Sequence, residues 1–292
     1  MSISRQNLSI VIVTFKSDEV IHECIKSIDK DIKIMIIENS NNFQFKNELE
    51  AMYNNVSCVL TNDNLGMGAG NNIGIKKAAT DFVLILNPDV ILEESTINEL
   101  IAASQDILNF AIIAPICSDI DHPNYKLFND EKTTSKNKFH FKVRSIDGFA
   151  MLFNKKKLDK IINKDYFDKN FFMYLENDDL CKRIVDAKED IYVASNSKIK
   201  HLGGKAVNIR YKNEVELARN WHWIWSKFYF NKKHYGYTIA FFKGCPKFFS
   251  SLFKYIFYFL IRNKFKQRIY FNRASGFFNA ATNKSSWYRS QF

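Results

Sequence analysis

The run Phe82-Val-Leu-Ile-Leu86 carries no polar or charged side chain and stops on Asn87-Pro88-Asp89. Five apolar residues without alternation predict a strand covered on both faces, the pattern of a parallel sheet. Parallel neighbours need long crossovers, usually helices, so this short run commits the chain to an alternating α/β architecture. Pro88 cannot donate to a ladder and pushes Asn87 out of it, which ends the strand. Asp89 is thereby delivered to the carboxyl end of a central strand, where open α/β sheets bind ligands. A carboxylate there suits a divalent cation held against a diphosphate.

The segments before it fit the same architecture. Leu8 to Phe15 reads as a buried strand, and Ser17 is the expected cap of a helix opening with Asp18 and Glu19. Ile32 to Ser40 is a second strand, closing on polar Glu38, Asn39 and Ser40. A short helix over 47–53 leads to a third strand, Val56 to Thr61. Together the alternation predicts a right-handed, doubly wound sheet. Between the third strand and a helix ending near Ala79 lies Asn62 to Gly74, with four of the ten glycines. Glycine lets backbone approach a ligand, and a loop opening a helix offers free N–H groups to anions. The segment has neither the Gly-Lys-Ser/Thr of a P-loop nor the spacing of a dinucleotide fingerprint, so a turn-rich helix start is the alternative.

Charge divides the chain more sharply than length does. The 292 residues, 46% of them hydrophobic, suffice for one large or two modest domains. Net charge is +11, yet from Asn196 onward 19 Lys and Arg face only Glu214 and Glu216. All four tryptophans also lie in that basic tail. Five scattered cysteines, Cys24, Cys58, Cys117, Cys181 and Cys245, argue for free thiols in a reducing compartment. No signal peptide is visible, and a cytoplasmic location is expected.

Beyond Cys117 the chain turns polar as far as Lys142, with Asn129 to Lys138 at its centre, and reads as a surface loop or a flap. Phe171-Phe-Met-Tyr174 then gives way to Glu176-Asn-Asp-Asp179 at a helix start. Carboxylates there favour the helix dipole. A carboxylate crowded by acids beside an apolar patch is also suited to general-base work. His201 precedes Gly203-Gly204, and a neutral imidazole is a ready metal ligand. The tail holds Trp221-His-Trp-Ile-Trp225 and the 14-residue run Phe248 to Ile261, too short for the roughly 20 residues that span a bilayer. Basic residues interleaved with aromatics suit an interfacial helix on anionic lipid, or helices that pack on the body. Nucleic acid is a weaker expectation, because no nucleic-acid motif accompanies the charge.

Seven pieces in order resemble the bacterial family 2 glycosyltransferases, particularly the rhamnosyltransferase-like branch. They are Ile10 to Phe15, Ile37 to Ser40, Asn64 to Gly74, Leu84 to Asp89, Asp147 to Phe153, Phe167 to Arg183 and His201 to Gly204. The resemblance implies a GT-A fold, a nucleotide-sugar donor and inverting transfer to an acceptor hydroxyl. By the same resemblance Thr14 and Phe15 lie against the base, and Glu38 reads the base edge or ribose. Asn64, Gly66, Asn72 and Asn87 line the donor. Asp89 keeps the second carboxylate of the family's Asp-x-Asp and, with His201, would hold Mg2+ or Mn2+. The family's basic carboxylate falls at Asn177, an amide that cannot accept a proton. The role therefore passes to Glu176 or Asp179, with Glu176 preferred.

The expectation is a GT-A catalytic domain over 1–212 and a helical, membrane-proximal region over 213–292. The enzyme would extend a lipid-linked or surface-polysaccharide glycan at the inner face of the plasma membrane, with dTDP-rhamnose as first donor. An inactive nucleotide-sugar or glycan-binding subunit, motivated by Asn177, and a basic nucleic-acid-binding protein are the alternatives.

Overall fold

A computed structural model describes residues 3–107, 109–119, 121–128, 139–162 and 165–289. The chain forms two compact units, one of residues 1–168 with 177–208, the other of 169–176 with 209–292. The expected loop centre at 129–138 lies outside the described residues.

The first unit is built on strands β1 (Leu8–Thr14), β2 (Lys33–Glu38), β3 (Val56–Leu60), β4 (Phe82–Leu86), β5 (Val90–Leu92), β6 (Ile112–Cys117), β7 (Tyr125–Lys126), β8 (His140–Val143), β9 (Ser145–Ile146), β10 (Ala150–Asn154) and β11 (Ile191–His201). Its helices are α1 (Ile21–Lys26), α2 (Phe43–Met52), α3 (Met67–Lys77), α4 (Thr96–Asp106), α5 (Lys155–Ile161) and α6 (Glu176–Asp186), whose first residue groups with the second unit. The main sheet runs β3-β2-β1-β4-β10-β6-β11-β5, with β8 on β11. β1 is parallel to both β2 and β4, whereas β10 enters antiparallel to β4. All five residues of β4 are buried, as its uninterrupted apolar run requires.

Alternation along β1 assigns its side chains to two cores. Ile10 and Ile12 join Ile21 of α1, Leu49 of α2 and Leu100 of α4. Val11 joins Ile75 of α3, Leu158 of α5 and Ile184 of α6. Helices therefore cover both faces, the doubly wound arrangement of a GT-A fold. Because β1, β2 and β4 are parallel, their carboxyl ends share one edge. Register sets Thr14 opposite Glu38 there, and Ile12 opposite Leu86. On the far side β11 runs antiparallel to β5, with His201 opposite Val90.

Ser17 does not cap α1 by its side chain. Its hydroxyl donates to the Ala206 carbonyl at 2.6 Å, while its own carbonyl receives the Val20 and Ile21 N–H groups. The nearby loop gained a different use for Ser17 than local spacing suggested.

The second unit contains α7 (Lys212–Tyr235), α8 (Tyr237–Leu260) and α9 (Lys264–Ala281). Trp221, Trp225, Phe228, Ala240 and Phe277 form its core. Burial holds His222 neutral, with a pKa of about 3, between the Tyr288 carbonyl and the Ser286 hydroxyl. Residues 169–176 group with these helices instead of ending the sheet-bearing unit. The Phe171 ring meets Tyr229 at 4.9 Å, Phe172 meets His222 at 4.7 Å, and Ser226 donates to the Met173 carbonyl. The division thus falls at 208/209, with this excursion, where composition placed it at 212/213. Among the described residues no helix is long and apolar enough to cross a membrane.

One packing contact in the first unit is close enough to test. A Cβ on Gly74 would lie 2.3 Å from Val11 Cγ1, and one on Gly70 2.8 Å from Val13 Cγ1. Gly74→Ala should destabilise the protein by about 1–3 kcal/mol through overpacking. Val11→Ala in the same chain should recover part of that loss in chemical denaturation. An unperturbed midpoint for Gly74→Ala would mean that α3 does not sit this tightly on β1.

Candidate functional site

The carboxyl edge of the sheet gathers most of the polar side chains singled out by sequence. Asn87 N–H donates to the Phe149 carbonyl at 2.9 Å, and its own carbonyl receives Val90 N–H, so the Asn-Pro-Asp segment is a tight turn between β4 and β5. Cys24 backs this turn, its thiol donating to the Asn87 carbonyl at 3.7 Å. Burial, and after it the Asp89 carboxylate, push that thiol up to about 12, so it stays protonated.

Asp89 is 2% exposed. Its Oδ2 accepts from Lys205 N–H at 3.3 Å, and its main-chain carbonyl accepts from Leu202 N–H. Oδ1 is buried with no hydrogen-bond donor, 3.5 Å from His201 Nε2. Phe149 stacks on His201 with ring centroids 4.0 Å apart and fixes the imidazole plane. Buried acceptors without donors are uncommon and often mark a missing ligand. Asp89 and His201 therefore fit as two side chains that could together hold a divalent cation. Among the described residues no group of three His, Cys, Asp or Glu side chains is placed to hold a metal ion.

The neighbouring side chains are more committed to one another than sequence suggested. Thr14 Oγ1 donates to Glu38 Oε2, and Ser40 N–H donates to Oε1 at 2.7 Å. Glu38 is fully buried, so in this state its carboxylate joins the ends of β1 and β2 and presents no surface of its own. Half-buried Phe15 donates its N–H to Ser17 Oγ. Asn64 Oδ1 accepts from Gly66 N–H and shapes the turn before α3, where Gly66 takes φ 81° as its N-cap.

Asn72 is turned away from that turn. Its amide makes two bonds with the Phe167 main chain, at 2.7 and 2.9 Å, and thus clamps α3 to the following segment. The adjacent Asn71 has the buried side-chain oxygen without a donor. Asn39 was also passed over as a site residue, although its amide links the Gly66 carbonyl to the Thr61 hydroxyl. Gly70 and Gly74 let α3 pack closely on β1.

Of the acidic group at the start of α6, Asp179 is fully buried and accepts from Arg183 Nε at 2.9 Å. Arg183 continues to the Tyr166 and Asp165 carbonyls, so this pair is an internal tie. Asn177 Nδ2 donates to the Ile146 carbonyl at 2.8 Å, and a Cβ on Gly148 would meet Asn177 Cβ at 3.2 Å. The loop that carries Asp147 is thereby fixed beside Asn177. Burial, foremost, raises the Asp147 carboxyl above the usual range; Asp178 adds to the rise, and Lys126 and His201 oppose it. Asp147 stood in a quoted motif without a role, and its burial was the signal that sequence did not expose. Glu176, buried at 4% exposure, belongs to the segment that packs with the helices. It follows Tyr174 and Leu175, both at positive φ (71° and 66°), a strained entry to a helix.

The Glycosyl transferase family 2 sequence model matches residues 9–162, more than half of the chain. The chain belongs to glycosyl transferase family 2. The matched stretch of this family 2 chain includes Thr14, Glu38, Gly66 and Asp89, and ends before Asn177 and His201. The low-salt glycan biosynthesis hexosyltransferase Agl10 of Haloferax volcanii is 26% identical over 194 residues, 61% of this chain and 61% of that protein. The chain thus spans less than two thirds of that relative. The crystal structure of GalNAc-T7 with UDP, GalNAc and Mn2+ superposes with a TM-score of 0.55 at 15% identity, covering 76% of this chain and 50% of that one. This second likeness is one of fold.

Asp179→Asn should therefore cost more than the roughly 1 kcal/mol of a carboxylate at a helix start. Stranding a partly buried arginine should bring the loss to about 2–3 kcal/mol in denaturant unfolding. A loss below 1 kcal/mol would show that the Asp179–Arg183 tie contributes little in solution.

Proposed function

We propose that the protein is an inverting glycosyltransferase that moves a sugar from a nucleoside diphosphate sugar to an acceptor hydroxyl. The observation that carries this reading is Asp89, a buried carboxylate at the carboxyl end of β4 with one oxygen lacking a donor and His201 beside it. Membership of family 2 supports the reaction class, and the hexosyltransferase relative supports hexosyl transfer. The donor sugar dTDP-rhamnose remains the first to test, on the resemblance of the motifs.

In the reaction the acceptor oxygen bonds to the anomeric carbon as the bond to the diphosphate oxygen breaks. The electron pair leaves with the diphosphate, and a carboxylate takes the acceptor's proton. Mg2+ or Mn2+ held by Asp89 and His201 would neutralise the departing charge, a reading to which the Mn2+ in GalNAc-T7 lends support. Thr14, Phe15, Glu38, Asn64, Gly66, Asn72 and Asn87 form or frame the donor-binding edge. Glu38 acts there by joining the ends of β1 and β2, and Asn72 by holding α3 to the Phe167 main chain. Glu176 is the proposed base, because Asp179 is tied to Arg183 and Asn177 is an amide. A second reading moves the base to Asp147, favoured by the Asn177 contact that fixes its loop.

The acceptor is a lipid-linked or surface-polysaccharide glycan, and the helical unit holds the enzyme at the inner face of the plasma membrane. Support comes from α8, where Phe242, Phe249 and Phe253 are 70, 64 and 72% exposed in a unit rich in lysine and arginine.

Turnover of a nucleotide-sugar panel with and without EDTA tests the central claim. Asp89→Asn should remove transfer and weaken diphosphate binding, and chelation should reproduce that loss. Full activity in excess EDTA would overturn the metal role. Glu176→Gln should lower turnover by about two to four orders of magnitude with donor affinity unchanged. That loss appearing in Asp147→Asn instead would transfer the base. A panel that binds donors, turns none over and gains activity on Asn177→Asp would mark a degenerate binding subunit. For the membrane, Phe242, Phe249 and Phe253 replaced together by Ser should strip the protein from anionic vesicles. Retained vesicle binding would exclude α8 as the anchor.

A further inference from the structure

In the second unit, α7 and α8 enclose a crevice in which three lysines meet without an acidic partner. Lys227 and Asn231 lie one turn apart on α7, and Lys243 and Lys247 lie one turn apart on α8. Phe228 and Phe277 line the same crevice. Gly244 lets α8 lie close to α9 beside the crevice, since a Cβ there would fall 2.4 Å from Phe277 Cε2. All three lysines remain solvent-exposed, so an incoming ligand reaches them.

Among the described residues none of the three lysines forms a salt bridge. The acidic residues of this unit are Glu176, Glu214 and Glu216, and none follows Glu216 in the chain. Glu216 precedes Lys227 by three helical turns on α7, about 16 Å along the axis. That is beyond the screening length of about 8 Å at physiological salt. Partial burial and then Lys247, within hydrogen-bonding reach, hold the Lys227 ammonium below the usual lysine range, and Lys243 adds to the effect. Lys243 also lies over the Tyr235 ring, at 5.1 Å. A folded chain that converges three ammonium groups on an apolar-floored crevice has built an anion site in electrostatic terms. The donor it presents, several tetrahedral ammonium groups from two directions, matches the oxygens of a phosphate group.

We infer that the α7–α8 crevice of the second unit, with Lys227, Lys243 and Lys247, is a phosphate-binding site. The phosphate belongs to an anionic lipid headgroup or to free phosphate; the chemistry is shared. The inference does not depend on sugar transfer, and none of its readouts involves transfer.

The test uses the full chain with Lys227→Met and Lys247→Met together, which keep the aliphatic stems. Lys254→Met with Lys266→Met removes the same charge outside the crevice. In inorganic phosphate at matched ionic strength, the intact protein and the control pair should melt higher than in chloride. The crevice pair should lose most of that rise. In chloride alone the crevice pair should melt above the intact protein, because its lysine repulsion is gone. On phosphatidylcholine vesicles containing phosphatidic acid, the crevice pair should bind about tenfold more weakly than the control pair, beyond the loss any surface lysine causes. A crevice effect in inorganic phosphate supports a site for the free ion, and one confined to phosphatidic acid supports a headgroup site. Equal responses of the crevice and control pairs in both arms, or a crevice pair that melts lower in chloride, would overturn the inference.

Discussion

A carboxylate buried at 2% exposure, with a single hydrogen bond to one oxygen and none to the other, is a burden that the surrounding structure must carry. An uncompensated buried ion costs on the order of several kcal/mol. Asp89 is tolerated because the strand that delivers it is fixed by its neighbours. β4 is buried along its whole length and paired on both sides, to β1 and to β10. Pro88 cannot slide into the ladder, and the turn beyond it is closed by Phe149, Val90 and Leu202. Only a rigid support of this kind can hold a charge in place for a ligand that arrives later. His201 reaches the same point because β5 and β11 run antiparallel, with Val90 opposite His201. The site is thus a consequence of strand direction as much as of residue type.

The glycine-rich turn shows how packing and binding divide one segment. Gly66 takes a left-handed conformation and starts α3, where N–H groups face the sheet edge. One and two turns further, Gly70 and Gly74 let α3 descend onto Val13 and Val11. The close approach sets how far Gly66 projects from the sheet. Asn39 then ties the turn back to the end of β2. A segment chosen by sequence for one reason is therefore built for two.

Legibility followed the range of the interactions. The strand Phe82–Leu86, its stop at Pro88 and the position of Asp89 were readable because hydrophobic pattern and proline act locally. The pairing of Thr14 with Glu38 was within reach, since both residues close parallel strands. Asp179 with Arg183, four residues apart on a helix, was readable in principle, but the crowded acids drew attention to chemistry instead. Asn72 was out of reach, because its partner Phe167 lies 95 residues away. The same holds for the segment 169–176. Its aromatics find their neighbours on α7, and no local pattern distinguishes that use from the core of the sheet. Ser17, aimed at Ala206 rather than at its own helix, failed for the same reason.

Asn177 is best understood from what its side chain does in the fold. Its Nδ2 donates to the Ile146 carbonyl, and its Cβ lies against Gly148. An aspartate at this position has no hydrogen to donate and would set a carboxylate against a carbonyl oxygen, a repulsive contact. The amide therefore does work that the acidic residue of the family pattern cannot do in this arrangement. It holds the loop between β9 and β10, which carries Asp147 and leads to Phe149, the residue that stacks on His201 and receives Asn87 N–H. The substitution is tied through this loop to both sides of the candidate metal site. The amide at 177 is thus a positioning group for residues 147–149, acting through the Ile146 carbonyl and the close contact with Gly148.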